Sequence, residues 1–207
     1  MIVERAGVNV HVGMGFADAL DALGSGDENE QLDVFAAALL HLVDDILTLS
    51  KLDNGLPDGE KKLTSLNLIA KNVIDSVSSL LEKKHITLKA KLEQVEINAI
   101  PDVIYGLIFN LVDNAIKYNK ENGTIDVVVK YVDSKATLII SDSGIGIPKG
   151  DIDRIFERFY RVDKSHSREI GGTGLGLSIV KHAAIIHNAT IETSSELGLG
   201  TTFTITF

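Results

Sequence analysis

The chain reads as an α+β protein, a two-layer α/β sandwich preceded by a helical hairpin that dimerises into a four-helix bundle. Three observations lead to that class. Leu32, Phe35, Leu39, Leu42, Ile46 and Leu49 repeat at 3-4-3-4-3 intervals, the seam of a helix packed in a bundle. From residue 62 onward, short alternating runs interchange with runs of helical spacing. Glycine-rich and polar motifs then sit where those strands and helices meet.

Residues 1–15 carry the weakest pattern. Val8, Val10 and Val12 alternate with Asn9 and His11, while Gly7, Gly13 and Gly15 oppose a firm helix. Phe16, Leu20 and Leu23 hold a brief helical spacing that Gly24-Ser25-Gly26 ends. Asp27 with Glu30 three residues on matches a capping box and starts the seam helix, whose stripe Val43 and Leu47 widen. One helix cannot hide so broad a stripe, so residues 1–56 are assigned to a dimerising hairpin. Two glycines and a proline between Asp53 and Lys61 mark a linker, and the boundary is placed at 57–65.

The second domain, 66–207, is expected to contain the sandwich. Lys62 to Ser65 suits a short strand, and Leu66 to Lys84 a helix burying Leu68, Ile69, Val73, Val77, Leu80 and Leu81. Ile86 to Leu92 and Val95 to Ala99 read as strands, and Pro101 opens a helix running to about Asn119. Thr124 to Val132 turns Ile125, Val127, Val129 and Tyr131 inward and pairs with Ala136 to Ser141 around Asp133-Ser134. Thr173 to His187 is expected to be helical, and Thr190 to Ser194 and Thr201 to Phe207 close the sheet.

Composition excludes several classes. The chain is 44% apolar and 24% charged, with net charge −9 and pI about 5.1, which speaks against a general nucleic-acid surface. Without cysteine there is no disulfide, thiolate chemistry or cysteine metal site, which fits a reducing, cytoplasmic setting. The longest nearly apolar run, Val34 to Val43, is too short to span a bilayer, and no signal peptide is visible. Any membrane anchor is expected outside this chain.

The chemistry gathers on four motifs. Asp142-Ser143-Gly144-Ile145-Gly146 follows the apolar strand Thr137 to Ser141. Its carboxylate can accept a purine's exocyclic amine, and its glycines let the base lie against the backbone; a plain strand-end turn is the alternative. Asn110, Asn114 and Lys117 recur at i, i+4 and i+7, opposite Ile108, Leu111, Val112 and Ala115. Two amides and an ammonium on one stripe suit phosphate oxygens and a hydrated Mg²⁺, although a solvated polar face has the same pattern. Gly172-Thr173-Gly174-Leu175-Gly176-Leu177 opens a helix whose free amides form an anion site, and lacks the lysine of a Walker loop. Gly198-Leu199-Gly200-Thr201 reads as a hairpin turn, with Thr201 near a phosphate or the base as the sharper option. Between the glycine motifs lie Ile155 to Asp163 and then Lys164 to Arg168, a polar, lid-like segment in which Arg158 or Arg161 can steady phosphate charge.

In this order the motifs resemble the N, G1, F, G2 and G3 boxes of sensor histidine kinases, of the Bergerat-type ATPase superfamily. The likeness covers about Leu66 to Phe207, and Asp45 to Asp53 resembles the second helix of the family's dimerisation and phosphotransfer domain. The resemblance implies a Bergerat ATP-binding fold, with ATP and Mg²⁺ as ligands. It implies that Asn110, Asn114, Lys117 and Tyr118 contact phosphates and metal, Asn114 as the metal ligand. Asp142, Gly144, Ile145 and Gly146 then hold adenine, Tyr160 and Arg161 lie near the nucleotide, and Thr173, Gly174, Leu175, Gly176 and Leu177 form the second glycine loop, with Thr201 beyond it. Family members pass the γ-phosphoryl of ATP to a histidine and then to a response-regulator aspartate, so a homodimer and a receiver domain are the implied partners. One departure stands out: the acceptor string His-Glu/Asp-x-x-Thr/Asn-Pro is absent, and residues 1–56 contain no proline. His11 lacks the acidic neighbour expected of a phosphoacceptor, and the first helix reads as truncated or replaced. A nucleotide-binding dimeric module without kinase activity is therefore the alternative.

Overall fold

The computed structural model describes residues 39, 42, 43, 45–51, 59–162 and 173–207. The expectations for residues 1–38, including His11 and the capping box, lie outside them, as do those for His41, 52–58 and 163–172. Among the described residues seven strands form two sheets. β1 (Lys62–Ser65) pairs antiparallel with β3 (Glu96–Ala99). β2 (Thr87–Leu92), β4 (Thr124–Val132), β5 (Lys135–Asp142), β6 (Thr190–Glu196) and β7 (Gly200–Thr206) form a sheet in the order β2-β4-β5-β7-β6. Its pairs are antiparallel except β2 with β4.

The other layer is helical: α1 (Leu66–Ser76), α2 (Ser78–Lys83), α3 (Pro101–Lys117) and α4 (Gly176–Ile186). Pro101 occupies the first turn of α3, where its missing N–H costs nothing. Asp133 and Ser134 take φ of +48° and +65°, the left-handed pair that turns β4 tightly into β5. The core lies between the layers, with Ile125, Val127, Val129, Leu138, Ile140 and Ile205 of the sheet buried against Leu66, Val73, Leu107, Leu111 and Val180.

Three expectations change in detail. The single helix over Leu66 to Lys84 is broken at Val77, where the hydroxyls of Ser76 and Ser78 donate to the carbonyls of Val73 and Asp75. Leu68 is 56% exposed, because the buried face of α1 runs through Leu66, Ile69, Ala70 and Val73. Tyr131 is 50% exposed near the end of β4, with its hydroxyl accepting from the Glu96 N–H.

The seam helix divides its labour. Residues 39, 42, 43 and 45–51 are helical. Leu49 is buried against Leu175 and Ile179 with Leu42 beside it, so this edge of the seam docks on α4. Leu39, Val43, Ile46 and Leu47 remain exposed.

Candidate functional site

β5 delivers Asp142 to the end of the sheet, half-buried. Its Oδ1 accepts from the Gly144 N–H at 2.8 Å and from the Thr201 N–H at 3.3 Å. Both of these bonds go to Oδ1, and among the described residues nothing donates to Oδ2. Burial pushes the carboxyl above its usual range, and the two N–H donors pull it back only in part. The chain around it is packed at backbone distance. A Cβ on Gly144 would lie 2.2 Å from the Tyr118 carbonyl, and one on Gly200 would lie 1.9 Å from the Asp142 carbonyl. Gly146 and Gly200 also hold φ of +71° and +113°, where side chains are strained.

α3 runs beside this loop. Ile108, Leu111, Val112 and Ala115 are buried, as the pattern requires. The opposite stripe faces protein at both ends. The Ile145 N–H donates to the Tyr118 carbonyl at 3.0 Å, joining the first glycine loop to the C-terminal end of α3. Toward the other end, the Asn110 Nδ2 donates to the Gly106 carbonyl at 2.8 Å, and its Oδ1 lies 2.6 Å from where a Cβ on Gly176 would stand. A side chain at 176 would push the Asn110 amide aside. Asn114 sits between, half-buried, its side chain making no hydrogen bond among the described residues. Lys117 pairs with Asp113 at 2.6 Å, with the two side chains 20% and 14% exposed, so its ammonium is held on the stripe rather than loose in solvent. The 118–145 hydrogen bond joins the loop that follows Asp142 to the end of the helix that carries Asn114.

The second glycine loop completes the border. Gly174, at φ +71°, accepts from the Phe159 N–H at 2.9 Å. That left-handed turn delays α4 to Gly176, three residues later than the sequence pattern suggests. Leu175 is fully buried, and Leu177 is half-buried against the core. The Thr173 hydroxyl accepts from the Leu175 N–H at 3.2 Å and donates to the Asp45 carboxylate at 2.9 Å, tying the loop to the seam helix. The N–H groups of the first helical turn have no intrahelical partner and carry the positive end of the helix dipole. Tyr160 donates its hydroxyl to Asp151, which raises the phenol's pKa, and the Arg154 guanidinium stacks 4.2 Å from the ring. These contacts anchor the segment before the second loop, with Arg161 half-buried next to it.

Thr201 is buried, and its hydroxyl meets that of Ser195 at 2.9 Å. Sequence reasoning passes over Ser195; the available signal is a serine in β6 placed opposite Thr201 across the hairpin. A separate depression of about 280 Å³, lined by Glu96, Tyr131, His187 and Phe207, opens by Ala136 near the start of β5. Six residues of strand, roughly 20 Å, separate it from Asp142.

Among the described residues no cluster of three histidine, aspartate or glutamate side chains could hold a metal by itself. Amide oxygens remain. Asn114 and the Oδ1 of Asn110 suit a hard cation that brings water and phosphate oxygens with it. No helix among the described residues is long and apolar enough to cross a membrane.

Residues 99–207 match the family described as histidine kinase-, DNA gyrase B- and HSP90-like ATPase. The sensor histidine kinase RppB of Synechocystis sp. is 35% identical over 169 residues, 81% of this chain and 37% of its own length. The sensor protein kinase WalK of Staphylococcus saprophyticus is 34% identical over 170 residues, again 81% of this chain but 28% of its own length. The chain thus spans little more than a third of these relatives at most. The Acinetobacter baumannii histidine kinase AdeS superposes with a TM-score of 0.71 at 23% identity, covering 92% of this chain and 91% of that one, a likeness of fold. The chain belongs to the histidine kinase-, DNA gyrase B- and HSP90-like ATPase family, and its sandwich is the Bergerat-fold ATP-binding core of the sensor histidine kinases.

Proposed function

We propose that this pocket binds Mg-ATP and presents the γ-phosphoryl to a histidine, as the kinase step of a two-component signalling pathway. The observation that carries the nucleotide reading is the Asp142 carboxylate: Oδ1 is occupied by two backbone N–H groups, and Oδ2 is left to accept from an exocyclic amine. Gly144, Ile145 and Gly146 line the base side. The polar stripe of α3 takes the phosphates, with Lys117 as the cation and Asn110 and Asn114 as oxygen ligands. Asn114 is the residue that would hold Mg²⁺, which supplies charge neutralisation at the β- and γ-phosphates when bound. Tyr118, Tyr160 and Arg161 border the nucleotide. Thr173, Gly174, Leu175, Gly176 and Leu177 direct the amide end of α4 at the phosphates, and Thr201 supports Asp142.

In the transfer, the bond from the γ-phosphorus to its bridging oxygen breaks, a P–N bond forms with an imidazole, and ADP leaves. Positioning and charge stabilisation are what such a site contributes. The exposed apolar side chains at 39, 43, 46 and 47 support a homodimer through the seam helix, leaving Leu42 and Leu49 to dock on α4. A receiver domain is the onward acceptor, and the chain works in the cytoplasm.

The absent acceptor string favours a second reading, a nucleotide-binding dimeric module without phosphotransfer. Incubation with γ-labelled ATP separates the two. Acid-labile, base-stable label on the chain supports the kinase. Tight Mg-ADP binding with no label supports the module, and no binding at all overturns both.

A further inference from the structure

We propose that Ser195 is a positioning residue of the base pocket, clamping the two glycine turns that flank Asp142; this rests on the nucleotide reading above. Its hydroxyl sits at a junction of three groups. The Ile147 N–H, just after the first glycine turn, donates to Ser195 Oγ at 2.7 Å. Across the β6–β7 hairpin, Ser195 Oγ lies 3.0 Å from the Gly200 carbonyl and 2.9 Å from Thr201 Oγ1. Thr201 in turn donates its N–H to Asp142 Oδ1.

Counting protons decides the arrangement. A serine hydroxyl has one proton and two lone pairs. The Ile147 N–H takes one lone pair, and a carbonyl can only accept, so the serine proton goes to Gly200. The remaining contact is then a bond only if Thr201 donates its proton to the second lone pair of Ser195. A single order satisfies all three contacts, and it also fixes the rotor of Thr201. Ser195 thus joins the segment after the first glycine loop to the start of β7, and Asp142 takes its geometry from both. The turns have little room to settle otherwise: a Cβ on Gly146 would lie 2.1 Å from the Glu196 carbonyl, and one on Gly200 1.9 Å from that of Asp142. Removing the hydroxyl leaves the Ile147 N–H, the Gly200 carbonyl and the Thr201 hydroxyl each without this partner.

An isosteric pair tests this: Ser195→Thr keeps the hydroxyl, and Ser195→Val matches the threonine in shape without it. Affinities are measured for ADP, for adenosine and for inorganic tripolyphosphate, each with Mg²⁺, alongside the unfolding midpoint of the free protein. Ser195→Val is expected to weaken ADP and adenosine by about tenfold, with tripolyphosphate unchanged. Ser195→Thr is expected to stay within about threefold of the native affinities. Equal ADP affinity in the native chain and Ser195→Val overturns the proposal while leaving nucleotide binding intact. Equal losses in the two variants overturn it as well, since bulk rather than the hydroxyl would then decide. Parallel losses of adenosine and tripolyphosphate in Ser195→Val also overturn it, because the effect would then be general. A native chain that binds no ADP overturns the nucleotide reading itself and this proposal with it.

Discussion

Replacing Asp142 by asparagine isolates the base-reading contact from the fold. The asparagine carbonyl can still accept from the N–H groups of Gly144 and Thr201, which bond Oδ1 at 2.8 and 3.3 Å. The change falls on Oδ2, where an acceptor becomes an NH₂ donor facing the amine of the base. Losing one charge-assisted hydrogen bond costs about 1.5–3 kcal/mol, and leaving two donors opposed adds about 1–2 kcal/mol. Together these predict an affinity loss of roughly 10²- to 5 × 10³-fold for Mg-ADP, read by titration calorimetry. Stability should move the other way. Burial raises the Asp142 carboxyl above its ordinary 3.8, so its contribution is fully present below that value and is lost as pH rises through the folded pKa. At neutral pH the native protein therefore carries a desolvated carboxylate that the asparagine variant lacks. The ligand-free unfolding midpoint of the variant is expected to equal or exceed the native one at pH 7. Unchanged Mg-ADP affinity would refute the base-reading role. A large fall in the ligand-free midpoint would show instead that the carboxylate is structural.

Three further substitutions, at Gly200, His187 and Leu49, test the glycine turn, a buried imidazole and the docking of the seam helix. Gly200→Ala places a Cβ against the Asp142 carbonyl at a φ of +113° and is expected to cost about 3 kcal/mol, a drop of roughly 6–12 °C in the unfolding midpoint; a native midpoint would contradict the close approach. His187 is held neutral, its Nδ1 donating to the Ala183 carbonyl and its Nε2 accepting from the Ile100 N–H, and burial lowers its pKa. Its stabilising effect is present above the ordinary value of 6.5 and lost as pH falls through the lowered one, so His187→Gln should flatten part of the decline in midpoint below pH 6.5. An unaltered pH profile would remove His187 from that decline. Leu49→Ala should weaken the docking of the seam helix by about 2–3 kcal/mol, seen as faster amide exchange in the first turns of α4 with the β4–β5 core unchanged; equal protection in the two proteins would rule out the contact.

What the sequence by itself determined is the set of elements and the residue types at their junctions. The apolar residues Ile125, Val127 and Val129, two apart, demand a strand with one face buried, because a shift of one residue would move all three to the other face. The 3.6-residue spacing around Asn110 likewise separates an apolar face from a polar stripe, and Gly144 with Gly146 announces backbone packed too tightly for a Cβ. Only the tertiary structure decided how those pieces use one another. Leu68 lies just off the face that α1 buries, and Tyr131 near the end of its strand, and no local pattern reports where a neighbouring layer stops. The seam from Leu39 to Leu49 looks uniform along the chain, yet Leu49 packs on α4 while Ile46 stays exposed, since the partner surface comes from residues more than a hundred positions away. Ser195 shows the same limit: its hydroxyl matters because folding brings Ile147, Gly200 and Thr201 within 3.0 Å of one oxygen, a coincidence in space that sequence spacing does not encode.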